Sequence, residues 1–363
     1  MEYFRVYKTT LGMDLDQIRA YDKSNMFDVL KDFPQQVEEA VSIATAFEFK
    51  HLNTEGIQNV VVNGLGGSAI GGDFVRSYAA YDMKVPMVVN RNYNLPGFAD
   101  ENTLAVISSY SGNTEETLSA FKEARERNCR ILCITSGGEV ERIANDNNID
   151  VLKIPGGLQP RCALGYSFFS LLIALTKLGL IPDKSPEITA TIKHLQNLSH
   201  SYSYFSSEHN HPIMIAEEVK SHLPVIYSSS DVLDAVNLRW QGQISENAEV
   251  LAYGNFVPEM NHNELVGWNL NEEILSRIVV ILLCDRDDND RVKLRMKITT
   301  DIYKEKCSSI IAVESDAETK LERIFELTYL GDWMSFYLAI LNGVDPTPVE
   351  AINYLKNKLS EAK

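Results

Sequence analysis

The chain has 363 residues, of which 45% are hydrophobic and 23% charged, with ordinary Gly and Pro content. That suffices for two domains or three with their own cores, and it excludes disordered, collagen-like and low-complexity classes. Thirty-four basic against 50 acidic residues give a net charge of −16; this argues against a general nucleic-acid or anionic-membrane binder, though one local site can still hold a small phosphorylated ligand.

No run approaches the ~18 apolar residues needed to span a bilayer; the longest candidates, 168–175 and 278–284, have core lengths. The opening residues Met1-Glu2-Tyr3-Phe4-Arg5 lack the basic and apolar regions of a signal peptide. The five cysteines (Cys129, Cys133, Cys162, Cys284, Cys307) are scattered without a CxxC pair, so neither a disulfide framework nor a zinc knuckle is expected. The expectation is a cytoplasmic protein.

The first fifty residues read as helix. Met26, Val29, Leu30 and Phe33 recur at helical spacing, as do Val37, Ala40, Val41 and Ala44 after Pro34. Strands are then expected at 60–62, 86–89, 103–108, 130–135 and 151–154, with an amphipathic helix over 113–127 placing Leu118, Phe121 and Ala124 on one face. This strand–helix alternation implies a doubly wound parallel sheet. A nearly all-apolar helix at 164–178 closes the unit, and the turn-rich stretch 179–186 reads as a linker. A bridging helix is expected at 187–206. The pattern restarts with a strand at 224–227, serines 228–230, a helix from Asp231, strands at 249–253 and 278–284, a helix at 290–304, a strand at 310–313 and a helix at 317–339. The expected organisation is therefore α/β: an N-terminal helical segment (1–50) and two doubly wound, flavodoxin-like parallel-sheet domains (51–182 and 183–363). Each domain has a strand, a serine-bearing loop and a helix in the same order, which suggests an internal duplication.

Two loops carry chemistry. In Val62-Asn63-Gly64-Leu65-Gly66-Gly67-Ser68-Ala69-Ile70-Gly71-Gly72-Asp73 a strand runs into glycines and a serine before a helix. Glycines let backbone approach a ligand, and a helix start offers N–H groups to an anion. The spacing also fits GxGxxA, but the next strand ends Val89-Asn90-Arg91-Asn92, without the acid that an NAD ribose calls for; Arg91 leaves only an NADP reading open. The second loop is Ile107-Ser108-Ser109-Tyr110-Ser111-Gly112-Asn113-Thr114-Glu115-Glu116-Thr117. Ser109, Ser111 and Thr114 converge on a helix start, a phosphate cradle that needs no Lys or Arg. Asn113 with Glu116 also fits a capping-box start.

The Ser-x-Ser-Gly-Asn-Thr run resembles the phosphosugar loop of the sugar isomerase (SIS) domain family. Over most of the chain the resemblance is to the bifunctional phosphoglucose/phosphomannose isomerases. Gly66-Gly67-Ser68 is similar to that group's first phosphate-side loop, and Gln159-Pro160-Arg161-x-Ala163-Leu164-Gly165-Tyr166 to its arginine motif. Ile244-Ser245-Glu246-Asn247-Ala248 resembles its glutamate segment, Pro258-Glu259-Met260-Asn261-His262-Asn263-Glu264 its histidine motif, and Gly343-Val344-Asp345-Pro346-Thr347-Pro348-Val349 followed by Lys356 its C-terminal signature. Glu249 departs from the resemblance, which implies a basic residue there.

The resemblance implies a cofactor-free, metal-free aldose–ketose isomerase acting on fructose 6-phosphate, glucose 6-phosphate and mannose 6-phosphate. It implies Glu246 as base, Arg161 as oxyanion partner, His262 as ring-opening group and Lys356, or Lys358 nearby, as helper. Gly67, Ser68, Ser109, Ser111 and Thr114 would hold the phosphate. A carboxylate base and a cation are the groups that proton abstraction beside a carbonyl requires, and the histidines form no HExxH set. The family also implies a homodimer whose shared site, lying between domains, takes the histidine from the neighbouring subunit, with no nucleic-acid or membrane partner. A non-catalytic phosphosugar sensor, or an isomerase of another phosphosugar, would share the phosphate loops. A sensor would not need Glu246, Arg161 and His262 together.

Overall fold

The computed structural model describes residues 15–205 and 209–362. Helices α1 (Leu15–Tyr21), α2 (Met26–Lys31) and α3 (Phe33–Ala46) come first. The alternating series follows as β1 (Asn59–Asn63), α4 (Gly66–Tyr78), β2 (Met87–Asn90), β3 (Thr103–Ser109), α5 (Glu115–Glu126), β4 (Arg130–Thr135), α6 (Gly138–Asp146), β5 (Asp150–Lys153) and α7 (Leu164–Lys177). After α8 (Ser185–Ser203) and α9 (His211–Val219) come β6 (Leu223–Ser229), α10 (Asp234–Ala248), β7 (Tyr253–Val257), α11 (Glu272–Leu275) and β8 (Ile278–Cys284). The chain ends with α12 (Asp290–Tyr303), β9 (Ser309–Glu314), α13 (Lys320–Asn342) and α14 (Glu350–Glu361). Residues 1–14 of the expected N-terminal helical segment, and Ser206 of the expected bridging helix, lie outside the described residues.

The chain divides into two compact units. The first comprises Asp32–Gln196 with Ala317–Glu322; the second comprises the described residues up to Lys31, Asn197–Asp316 and those from Arg323 onward. The first unit holds a five-stranded sheet of order β2-β1-β3-β4-β5, parallel throughout. Its strands are apolar on both faces because helices cover both. Val61, Ala105, Ile107 and Cys133 point to one side, where Phe121 of α5 and Val140 of α6 complete the cluster. The alternate residues Val60, Val62 and Val106 are also fully buried, and Val62 faces Gly72 of α4. Behind α4, Phe74 meets Phe168 of α7 edge to face at 6.3 Å.

The second unit holds a four-stranded parallel sheet of order β7-β6-β8-β9. Tyr227, Val280 and Leu282 pack on one side with Trp268, Met296 and Tyr303. Two bonded polar networks are also buried in this unit. Arg239 of α10 makes a two-pronged pair with Asp332 of α13, both bonds 2.8 Å, and Gln243 donates to the same carboxylate at 3.0 Å. One turn further along α10, Asn247 donates to Ser335 at 3.0 Å. Residues 239, 243 and 247 are thus a polar stripe at i, i+4, i+8, matched by α13.

One strand differs from its sequence expectation. The strand predicted at 249–253 lies at Tyr253–Val257. Glu249 adopts the left-handed conformation (φ 56°) that ends α10, and pairing begins only where Tyr253 aligns with Val225. The helix expected from Asp231 begins at Asp234, because Asp231 is itself in a positive-φ turn.

Candidate active site

In an open α/β sheet, ligands bind outside the carboxyl ends of the strands, where the strand order reverses. In the first sheet that point lies between β1 and β3. The loops that leave those two strands are the glycine loop 64–68 and the hydroxyl loop 109–114. The fold therefore brings together the two segments singled out from sequence.

Specific bonds fix the two loops to each other. The Tyr110 N–H donates to Ser68 Oγ at 3.0 Å, and Ser108 Oγ donates to the Ser68 carbonyl at 3.3 Å. Within the second loop, Ser109 Oγ donates to Thr114 Oγ1 at 3.2 Å and accepts from the Gly112 N–H at 3.1 Å. Ser111 is exposed and accepts from the Asn113 N–H at 3.3 Å. Gly112 has φ +70°, and a Cβ there would lie 1.8 Å from the Gly137 carbonyl oxygen, so the turn admits no other residue.

The expected Asn113–Glu116 capping box is not formed. Helix α5 starts at Glu115 with Thr114 as its N-cap, and Thr114 makes no side-chain cap bond. Asn113 reaches instead to the first turn of α6, where its Oδ1 accepts from the Glu139 N–H at 3.0 Å. Helix α4 likewise begins without a side-chain cap, since its N-cap residue is Leu65. Two uncapped helix starts at one switch point suit an anion, since the first-turn N–H groups and the helix dipole both favour negative charge.

The arginine motif belongs to the same cluster. Pro160–Cys162 forms a short 3-10 turn with Arg161 buried at 4% exposure. Gly67 packs directly on it: a Cβ there would lie 2.2 Å from the Pro160 carbonyl oxygen. The Tyr110 hydroxyl accepts from the Leu158 N–H at 3.0 Å, and burial pushes that phenol up from its ordinary pKa. Gln36 of α3 holds the far end, donating to the Cys162 carbonyl and accepting from the Gly165 N–H, both at 2.8 Å. Gly67, Ser68, Ser109, Ser111, Thr114 and Arg161 are therefore joined by a continuous chain of contacts. Sequence reading gave Tyr110 and Gln36 no role; Gln36 lies 126 residues from Cys162, which no local pattern can reveal.

Arg91, which kept the NADP reading open, is paired with Asp73 of α4. The cavity of about 420 Å³ lined by His51, Arg125 and Asp150 lies at the amino ends of β4 and β5, the opposite edge from these loops.

The remaining candidates lie in the second unit, on three separate elements. Glu246 is half-buried on the last turn of α10, beside the polar stripe that anchors the helix. His262 is exposed at the end of the 3-10 turn Glu259–His262. That turn is held from below by buried Met260 and from its far side by Glu264. The Glu264 carboxylate accepts from Tyr227 and from Asn255 Nδ2 at 2.7 Å; burial and Glu264 together push the Tyr227 phenol up. Lys356 lies on α14, every described residue of which is exposed, and Lys358 pairs with Glu361 at 2.7 Å.

At the corresponding switch point of the second sheet, between β6 and β8, the chemistry differs. Ser228 and Ser229 end β6 with Ser230 just after, and Asp285, Asp287 and Asp288 follow β8. Buried Arg323 bridges Asp285, at 2.8 and 3.1 Å, and Asp287. Burial holds the Asp288 carboxyl above the usual carboxylate range.

Residues 208–359 match the model of the bacterial phospho-glucose isomerase C-terminal SIS domain. The chain is 42% identical over 339 residues to a bifunctional phosphoglucose/phosphomannose isomerase of Caldicellulosiruptor bescii, covering 93% of this chain and all of that protein. To the protein of the same description from Thermoplasma acidophilum it is 34% identical, over 83% of this chain and 90% of the other. Among solved structures, a hypothetical protein from Thermus thermophilus superposes with a TM-score of 0.73 at 13% identity, covering 96% of this chain and 93% of that one. The tagatose-6-phosphate ketose/aldose isomerase of Escherichia coli does so with a TM-score of 0.64, also at 13% identity, over 89% and 95%. These structural likenesses show the α/β fold, and the sequence identities go further: the chain belongs to the bifunctional phosphoglucose/phosphomannose isomerase family.

Proposed function

We propose that this protein interconverts fructose 6-phosphate with glucose 6-phosphate and mannose 6-phosphate through a shared enediolate. One observation carries the reading: the glycine loop, the hydroxyl loop and the arginine turn are locked together at the first sheet's switch point. The phosphate is held by the Ser109, Ser111 and Thr114 hydroxyls with the Gly67–Ser68 helix start. Donors of this kind bind a dianion without a lysine.

Glu246 removes the proton from C1 of the ketose, or from C2 of the aldose, and returns it to the neighbouring carbon, while the hydroxyl proton passes between O1 and O2. Arg161 offsets the charge that develops on the enediolate oxygen, the task for which a pre-placed, buried cation is worth most. His262 gives a proton to the ring oxygen as the hexose opens and the anomeric hydroxyl loses its own, and Lys356 assists at the same stage. Glucose and mannose 6-phosphates differ only at C2, so one base serves both once the enediolate exposes either face. Arg161 carries the oxyanion's charge, so the proposed steps call on no metal ion or nicotinamide cofactor.

We further propose a homodimer in which His262 serves the neighbouring subunit's substrate. Its exposed position on a turn anchored by Met260 and Glu264 supports this. Inactive Glu246→Gln and His262→Ala chains would regain activity on mixing; no recovery in a mixed dimer counts against sharing. We also propose a place in the reducing cytoplasm, where five unbridged cysteines are at home; no described helix is long and apolar enough to cross a membrane.

The experiment that tests the reaction is a time course on fructose 6-phosphate in EDTA, without nicotinamide, followed by NMR. Both aldose phosphates are expected. Binding without turnover would favour a sensor or a different phosphosugar, and neither binding nor turnover would remove the phosphate assignment.

A further inference from the structure

We infer that Tyr110 is a positioning residue for Arg161, setting the register of segment 158–161 against the hydroxyl loop; this rests on the isomerase reading above. Tyr110 is 8% exposed, and each of its polar groups bonds to a different segment of the first unit. Its N–H goes to Ser68 Oγ at 3.0 Å, at the start of α4. Its carbonyl accepts from the Ser136 N–H at 3.1 Å and from Ser136 Oγ at 2.6 Å, after β4. Its hydroxyl accepts from the Leu158 N–H at 3.0 Å. One side chain, lying between two of the proposed phosphate ligands, therefore holds the segment that leads to the arginine.

That segment has little slack. From Gln159 the chain closes into the 3-10 turn, with the Cys162 N–H donating to Gln159 at 2.8 Å and the Ala163 N–H to Pro160 at 3.2 Å. Gln36 pins the far end at the Cys162 carbonyl. Arg161 thus hangs between a fixed point three residues before it and another one residue after it. Because catalysis by a placed cation depends on sub-ångström geometry, releasing the first point acts on turnover. The substrate's phosphate donors stay in place, since the Tyr110 backbone bonds to Ser68 and Ser136 do not involve the hydroxyl.

Tyr110→Phe keeps the ring and deletes only the acceptor for Leu158. The expected result is a kcat about 10-fold lower with KM within about twofold, and a melting temperature close to that of the parent. In an Arg161→Lys background the same change should cost less than about twofold more, because the two residues act through one contact chain. A merely structural tyrosine would lower the melting temperature and leave kcat alone, which overturns the inference. So does an equal loss in both backgrounds, which means that Tyr110 acts independently of Arg161. If Arg161→Lys itself keeps full kcat, the assignment of Arg161 falls and the positioning role falls with it. If Arg161→Lys is impaired while Tyr110→Phe is not, only the positioning role falls.

Discussion

Gly67→Ala tests how tightly the two halves of the phosphate-and-arginine cluster are registered. The added Cβ would sit 2.2 Å from the Pro160 carbonyl oxygen, 2.5 Å from its carbon and 3.1 Å from the Arg161 nitrogen. All three are backbone atoms with no rotamer to escape into. Restoring ordinary contact at 3.4 Å requires the start of α4 and the arginine turn to separate by about 1.2 Å. Overpacking of this kind costs ~1–3 kcal/mol of stability, and a displacement near 1 Å of a charge-stabilising group costs about 10²-fold in turnover. The assay is steady-state isomerisation of fructose 6-phosphate beside a thermal melt, with Gly97→Ala as control, because a Cβ at Gly97 meets nothing within 4 Å. A Gly67→Ala enzyme that keeps wild-type kcat, while Gly97→Ala is also neutral, would refute the claim that this contact sets the position of Arg161.

Three further outcomes are expected. Glu246→Gln should lower kcat at least ~10²-fold with ligand binding retained; undiminished turnover would take Glu246 out of the mechanism. Ser111→Ala combined with Thr114→Ala should raise KM for phosphorylated hexoses much more than it lowers kcat, and similar activity on free fructose before and after substitution is the matching control. An unchanged KM would displace the phosphate from this loop. Asp332→Ala strands the Arg239 guanidinium, 4% exposed on its side chain, and should destabilise by ~3–5 kcal/mol in urea unfolding. Arg239→Met added to it should recover part of the loss, and a single variant within about 1 kcal/mol of the parent would show the pair to be dispensable.

The α/β class and most strands were legible because buried parallel strands write themselves as short β-branched runs, as at Val60-Val61-Val62 and 278–284. Strand β7 was misplaced because Tyr253-Gly254-Asn255-Phe256-Val257 is an edge strand, only half covered. Val250 and Leu251, before it, mimic a strand but belong to the turn that Glu249 opens. In the site, the hydroxyl and glycine loops announced themselves by composition, since dense Ser, Thr and Gly between a strand and a helix has few other uses. The capping box was misread because local spacing favoured it while Asn113 found a better partner in the Glu139 amide, 26 residues on. Tyr110 and Gln36 were invisible as actors because their meaning lies in contacts 48 and 126 residues away. For Glu246 and His262 the motif was readable, whereas their environment was not: nothing local says that α10 is anchored by a buried ion pair.

The two sheets share a strand order and a parallel sense, yet their switch points carry opposite signs. The first offers hydroxyls and uncapped helix starts; the second offers Asp285, Asp287 and Asp288 around a single arginine. If the halves arose by duplication, the copies were specialised by charge and not by topology. On the function proposed above the phosphate docks at the first switch point, and the carboxylates at the second disfavour an anion there. Titration with inorganic phosphate should therefore saturate at one equivalent per chain. On that reading the same topology serves an anion at one switch point and turns it away at the other.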